Sequence, residues 1–315
     1  MDPDRILVTG AGGHVGSRLV ARLFEDGQLV RASYRHSSRI PHDWGGEDPV
    51  IGDLIERDVR WTALGNVRTV AHLATRGFSN AYPPTELLLQ QETEATLALA
   101  SDAAERGVRT FLFVSTVRVY GSALVGDVTE TSLALPSDLL GRCKLELERQ
   151  LLRLSSTDFR VIVVRLANSF GVAAEPRRTP WDLLINELCR EAVSNGTMTL
   201  RTDGRQYRDF VALGEVVRSL ARVVGHHDIQ SGVYLLASGR TRSLAESVER
   251  LAVSLQQAHG IRAVIRYGTE TNLQSKPFHL STQALERFGI RLSDDWSEEI
   301  RQLVAASTLC KEANS

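Results

Sequence analysis

The 315-residue chain is 43% apolar and 24% charged, the balance of a globular protein, which excludes a disordered, fibrous or disulfide-scaffold molecule. Its 37 Lys and Arg stand against 38 Asp and Glu, so the charge balance gives no reason to expect nucleic acid or an anionic membrane surface as a partner. Cys143, Cys189 and Cys310 show neither zinc spacing nor a pairing pattern, no apolar run reaches the ~18 residues of a membrane span, and MDPDR leads straight into ILV; a soluble, cytoplasmic protein is the expectation.

The runs ILVT (6–9), LVRASY (29–34), TVAHLA (69–74), TFLFVS (110–115) and RVIVVRL (160–166) are short, β-branched and apolar on both faces, as strands of a buried parallel sheet are. Helical stretches at 14–26, about 84–106 and 138–154 separate them, the last two rich in Leu, Ala, Glu and Arg. That alternation predicts an α/β fold with a doubly wound parallel sheet of the Rossmann type. From residue 168 the rhythm changes. Pro176 and Pro180 sit among charges, then come a helix (181–194), short strands near 198–212 and helices near 213–225, 243–258 and 296–307. This predicts a nucleotide-binding domain over 1–167, with an interleaved return near 211–237, and a smaller, mainly substrate-binding cap over 168–315.

Strand ILVT runs directly into Gly10-Ala11-Gly12-Gly13-His14-Val15-Gly16 and then a helix. Glycines there let the backbone turn tightly, approach a pyrophosphate without an intervening Cβ and pack helix on strand, while the helix start offers free N–H groups to the anion. The position, after the first strand and opening the first helix, is what makes this a dinucleotide turn. An NAD site usually ends its second strand in Asp or Glu, which accepts hydrogen bonds from the ribose and repels a 2′-phosphate. Here that end reads Ser33-Tyr34-Arg35-His36-Ser37-Ser38-Arg39, with two arginines and no acid. The expected cofactor is NADP(H), with Arg35 on the phosphate and Ser37 beside it; the alternative is that these arginines are solvated loop cations.

The spacing Thr9-Gly10-x-x-Gly13-x-x-Gly16 resembles the extended short-chain dehydrogenase/reductase family, which contains nucleotide-sugar epimerases and dehydratases. The resemblance continues in order along the chain. Asp53-Leu54 resembles the pair that meets the adenine, and His72-Leu73-Ala74, with Thr75 after it, the segment beneath the cofactor. Ser115-Thr116-Val117-Arg118-Val119-Tyr120-Gly121 looks like the strand-five segment, with Thr116 at the catalytic Ser or Thr. Arg165 to Gly171 resembles the R-x-x-N-x-Y-G segment, and Gln206-Tyr207-Arg208-Asp209-Phe210 the Q-x-R-D-F stretch at the substrate's phosphates. The resemblance therefore implies Gly10, Gly12, Gly13, His14, Val15, Gly16, Arg35, Ser37, Asp53, Leu54, Leu73, Ala74, Thr75 and Lys144 as cofactor residues. It implies Thr116, Asn168 and Arg208 as contacts for a small-molecule substrate, and no metal.

One element of the family pattern is missing. The family's Tyr-x-x-x-Lys pair puts both groups on one helix face, where the ammonium lowers the phenol's pKa. In Pro136 to Lys144 the lysine is present, as Lys144, but Leu140 occupies the tyrosine position. Losing a positioned acid/base costs on the order of 10²–10⁴ in rate. Alcohol oxidation needs that base; ketone reduction needs only a donor to the new alkoxide, a role open to Thr116 or to the substrate's own hydroxyl. Val117-Arg118 also replaces the family's Asp-Glu pair, which disfavours a 4,6-dehydratase. The expectation is an NADPH-dependent ketoreductase of secondary metabolism, acting on an aromatic polyketide-like ketone or a nucleotide-linked keto-sugar whose diphosphate Asn168 and Arg208 would hold. The bland alternative has Asn168 capping a turn and Arg208 pairing with Asp209. Alternative functions are a silent dinucleotide-binding sensor and a nucleotide-sugar epimerase with a rebuilt acid/base. Tyr120 and Tyr82 are outside candidates for the missing phenol, Tyr120 being a structural position in the family. Cys143 reads as packing, and the leucines of helices 84–106 and 138–154 leave a homodimer open.

Overall fold

The β-branched runs become strands because each is flanked by helices that cover both of its faces. The computed structural model describes residues 4–41, 44–46, 49–75, 85–122, 124–270 and 276–312. Its first part alternates β1 (Arg5–Thr9), α1 (His14–Glu25), β2 (Val30–Tyr34), β3 (Val50–Ile51), α2 (Arg57–Ala63), β4 (Val67–His72), α3 (Glu86–Glu105), β5 (Thr110–Thr116), β6 (Gly126–Val128), α4 (Leu139–Arg153) and β7 (Arg160–Leu166). There follow β8 (Asn168–Phe170), α5 (Leu184–Asn195), β9 (Thr197–Thr202), β10 (Tyr207–Arg208), β11 (Phe210–Ala212), α6 (Leu213–Gly225) and β12 (Gly232–Leu236). The last part holds β13 (Arg242–Ser243), α7 (Leu244–His259), β14 (Val264–Glu270), β15 (Phe278–Leu280), α8 (Gln283–Glu286) and α9 (Ser297–Glu312).

Seven parallel strands form the central sheet in the order β12-β7-β5-β4-β1-β2-β3. The order runs outward from β1 in both directions, so a crevice opens at the carboxyl ends of β1 and β4, where open α/β sheets bind their ligands. Side-chain alternation sorts the two faces. Ile6 and Val8 pack with Leu19, Val20 and Leu23 of α1 and Val216 and Leu220 of α6. Leu7 points the other way, to Leu99 and Ala103 of α3 and Leu147 and Leu151 of α4. Each such side chain, fully buried, contributes about 1.5–3 kcal/mol.

Helix α6 joins the layer of α1, and β12 pairs with β7 as the sheet's outermost strand. The rest of the C-terminal half has its own core, in which Ile185, Leu188, Val248, Leu251, Ile300 and Leu303 surround Trp296, whose ring lies 4.7 Å from Phe170. Glu299 of α9 ties that core to the first helix, accepting from Val172 N at 3.0 Å, Gly214 N at 2.9 Å and Arg18 at 3.2 Å. Helix α2 has no counterpart in the sequence reading because its buried residues are only Arg60 and Ala63, a pattern with no apolar period; Arg60 is held by Asp102 at 2.5 Å.

Candidate active site

The phosphate turn is built by close contacts that only glycine permits. Gly10 has φ +68°, and a Cβ on it would lie 2.7 Å from Ala74 N at the end of β4. A Cβ on Gly16 would lie 2.1 Å from the Gly10 carbonyl oxygen, so this glycine is what lets α1 rest directly on the turn. Helix α1 opens after Gly13 with no side-chain cap, leaving its first N–H groups to an anion. Gly16→Ala is accordingly expected to destabilise the fold by about 1–3 kcal/mol and to weaken dinucleotide binding, both through the displaced turn. Denaturant unfolding and fluorescence titration check the two effects, and unchanged values for both would remove the turn's role.

Gly10, Gly12 and Gly13 form one wall of a cleft whose far end carries Tyr34, Arg35, His36, Arg39 and, after β3, Asp53 and Leu54. Leu73, Ala74 and Thr75 continue it past β4, and Glu92, Ala95 and Thr96 of α3 close the other side. Arg178 of the C-terminal half fastens the far end by donating to the backbone carbonyls of Ser38, at 2.6 Å, and Arg39, at 2.5 Å. Most of the residues expected at a cofactor therefore converge. The side chains of His14, Val15, Ser37 and Lys144 do not, and Gly16 is outside the cleft lining too. His14 turns its imidazole away from the cleft to donate to Gly171 O at 3.0 Å, and burial pulls its pKa down to about 4, which keeps the ring neutral. Val15 packs against the core of the sheet, and Ser37 starts an exposed 3-10 turn outside the cleft lining.

The reacting end is organised by the junction of β5 and α4. Thr116 closes β5, and its Oγ1 accepts from Arg118 N at 3.3 Å. Arg118 pairs with Asp138 at 2.9 Å, and Asp138 caps α4 by accepting from Gly141 N at 2.8 Å. A Cβ on Gly141 would lie 2.8 Å from Arg118 O, so glycine allows the first turn of α4 to press against the end of β5. Leu140 on that turn is 8% exposed. Lys144, one turn later, is buried and bonded to Glu92 at 2.6 Å, so its ammonium already has an acidic partner. Cys143 packs beside Thr93 at half burial, as expected. Tyr82 lies outside the described residues. Tyr120 is structural: its hydroxyl donates to Thr129 O at 2.8 Å and accepts from Arg165 at 2.8 Å.

On the substrate side, Asp209 and Arg208 both hold nearby backbone groups. The Asp209 carboxylate accepts from the backbone of Ser238 at 2.8 Å and Arg240 at 3.2 Å, while Arg208 donates to Tyr207 O at 2.9 Å. Burial, and then repulsion from Arg118, pull the Arg208 guanidinium below its ordinary pKa. Asn168 donates its amide to the Asp209 carbonyl at 3.0 Å, which joins β8 to β11.

Residues 6–237 match the NAD dependent epimerase/dehydratase family. The chain belongs to that family. Among its relatives, the UDP-glucose 4-epimerase of Vibrio cholerae is 27% identical over 265 residues, 81% of this chain and 77% of the relative. Of solved structures, MoeE5 in complex with UDP-glucuronic acid and NAD is 26% identical and superposes with a TM-score of 0.80 over 97% of this chain and 99% of that one. The UDP-N-acetylglucosamine 4-epimerase of Methanobrevibacter ruminantium M1, at 21% identity, shares the fold with a TM-score of 0.81 over 98% of this chain. Within this epimerase/dehydratase chain, the residues that sequence reasoning missed are those with no motif around them. Glu92 looks like part of a solvated helix face, and His36 like a loop residue. Only the approach of α3 to α4, and of the β2 turn to Gly12, brings them to the cleft. Among the described residues no group of acidic, His and Cys side chains could hold a metal ion, and no helix is long and apolar enough to cross a membrane.

Proposed function

We propose that this family member oxidises and re-reduces one carbon of a nucleotide-linked sugar, acting as an epimerase whose acid/base chemistry has been rebuilt around the missing phenol. The observation that carries this reading is the glycine-built dinucleotide cradle of Gly10 and Gly16 in a chain of the epimerase/dehydratase family. Arg208, on the stretch that resembles the family's phosphate-binding segment, offers a guanidinium of the kind that recognises a nucleoside diphosphate. The relative named as a UDP-glucose 4-epimerase, and MoeE5 with its bound UDP-glucuronic acid, agree with that choice. A nicotinamide dinucleotide fits the glycine cradle and the uncapped start of α1, and when bound it supplies the hydride acceptor and donor.

Thr116 accepts from Arg118 N and keeps its hydroxyl hydrogen to donate to a substrate oxygen as charge develops there. Arg208, with Asn168 beside it, holds the diphosphate and so orients the sugar. With Leu140 in place of the phenol, the proton of the reacting hydroxyl leaves to water or to a neighbouring hydroxyl of the substrate. For the finer choice of cofactor we propose NADP(H). MoeE5 holds NAD, but the end of β2 is where the two cofactors are told apart, and here Arg35, His36 and Arg39 line the cleft with no acid at that strand end. Arg35→Ala should lower NADPH affinity by one to two decades, equivalent to the ~1.5–3 kcal/mol of a charge-assisted contact, and leave NADH little changed. Equal losses in paired titrations would make Arg35 structural and favour NAD.

The test of the function is incubation with UDP-glucose, UDP-glucuronic acid and UDP-N-acetylglucosamine, with the ring-carbon configuration followed by proton NMR. Appearance of an epimer supports the reading. A second reading, one-way ketone reduction, is favoured by the apolar Leu140. Stoichiometric NADPH oxidation by ketones, with every UDP-sugar left unchanged, would replace the first reading with that one. If the absent phenol limits the epimerase, Leu140→Tyr should raise its turnover by about 10² or more.

A further inference from the structure

Glu92 belongs to no motif, and the reaction described above makes no use of it. Its carboxylate lies 2.6 Å from Lys144 Nζ with both side chains 4% exposed, yet it also lines the cleft that contains Gly10, Gly13 and Ala74. Lys144 is further held over the Phe113 ring at 5.0 Å. One turn along α3, Thr96 bonds His72 at 3.0 Å, which ties this wall of the cleft to β4. Burying two charges costs desolvation that largely offsets their attraction, so a buried ion pair gives little net stability. An ion pair at the wall of a ligand cleft is better placed to act on the ligand.

The direction of the cleft fixes which part of the ligand it meets. The end carrying Tyr34, Arg35 and Asp53 lies beyond β2 and β3, where the adenine half of a dinucleotide sits on the reading above. Glu92 lies at the opposite end, toward β4 and β5, the strand that Thr116 closes. We propose that Glu92 sets the redox preference of the bound cofactor: by neutralising Lys144 beside the nicotinamide, it favours the oxidised ring, which is a cation, over the neutral reduced ring. The inference rests on the dinucleotide reading of the cleft and deepens it. A lone ammonium at this place would repel the oxidised ring. The Glu92–Lys144 pair presents no net charge, so the cofactor rests in the form that accepts a hydride from a sugar hydroxyl, which an epimerase needs and a one-way reductase does not.

The experiment compares the whole protein, stripped of co-purifying nucleotide, in four forms: wild type, Glu92→Gln, Lys144→Met and the double variant. Each is titrated with NADP⁺, NADPH and 2′-phospho-ADP-ribose, a fragment without the ring, and in parallel with NAD⁺, NADH and ADP-ribose. Glu92→Gln, which keeps the shape and an acceptor for Lys144, should shift preference toward the reduced form by roughly tenfold or more, the effect of an uncancelled unit charge within a few ångströms. Affinity for the fragment should hold within about twofold. Lys144→Met should shift the preference the opposite way, and the double variant, neutral again, should lie near the wild type. An unchanged oxidised-to-reduced ratio in Glu92→Gln, or an equal loss for all three ligands, would overturn the proposal and make the pair structural. If the wild type binds neither dinucleotide nor fragment, it is the cofactor reading that fails, and that outcome is distinct from the failure of Glu92. Should Lys144→Met not fold, Glu92→Gln and the double variant still decide.

Discussion

Glu148→Ala is expected to lower the melting temperature by about 6–20 °C, the largest single-residue loss anticipated in this chain, because it strands a buried arginine. Arg165 is 5% exposed and pairs with Glu148 at 2.6 Å; the same carboxylate accepts from Ser115. Arg165 also donates to Tyr120 and to Glu130 O and stacks over the Tyr120 ring at 4.7 Å. Removing one partner of a buried pair costs about 3–5 kcal/mol, and each kcal/mol shifts the midpoint of a domain this size by roughly 2–4 °C. A double change, Glu148→Met with Arg165→Met, leaves no charge unpaired and should recover much of the loss. Calorimetry on the single and double variants checks this. A single variant within about 2 °C of the wild type would mean that water or another group already satisfies Arg165. The same network joins β5, β7 and α4, so the destabilised variant should also misplace Thr116 relative to Lys144.

The second large effect is loss of stability in acid. Burial holds the pKa of His14 at about 4 and, with help from Lys144's charge, that of His72 at about 3, whereas both would titrate near 6.5 in an unfolded chain. The folded rings stay neutral while the unfolded ones take up protons. Their stabilisation is therefore complete above pH 6.5 and is lost progressively as pH falls toward 4, at up to about 1.4 kcal/mol per pH unit for each ring. Asp209 opposes them. Burial raises its carboxyl to about 6 from 3.8, so the folded form binds the proton first, and stability rises as pH falls through that interval. With two rings against one carboxyl, a net loss on the order of 3 kcal/mol is expected between pH 6.5 and 4. Urea unfolding at a series of pH values measures it. His14→Gln, whose amide can still donate to Gly171 O, should flatten the profile, and Asp209→Asn should steepen it. A wild-type stability constant from pH 7 to 4.5 would contradict the placement of both histidines.

How much of this was legible in the sequence follows from the range of the forces involved. The strands and most helices were readable because apolar periodicity is local, and the phosphate turn because Gly13 and Gly16 meet steric demands set within seven residues, by the Gly10 carbonyl. The order of motifs along the chain likewise sufficed for family and fold. Helix α2 was not readable, since an arginine rather than an apolar stripe anchors it to Asp102 on another helix. The site divides the same way. The sequence by itself showed Leu140 where the family has its tyrosine and Lys144 one turn on. Only the tertiary structure gave Lys144 its partner Glu92, fifty-two positions away, turned His14 from the cleft to Gly171, and set the Asp209 carboxylate on the backbone of Ser238 and Arg240. Spacing within one helix fixes which side chains share a face. Which charges meet across elements is fixed by packing of the α3, α4 and C-terminal layers, and burial then decides how strongly each is felt.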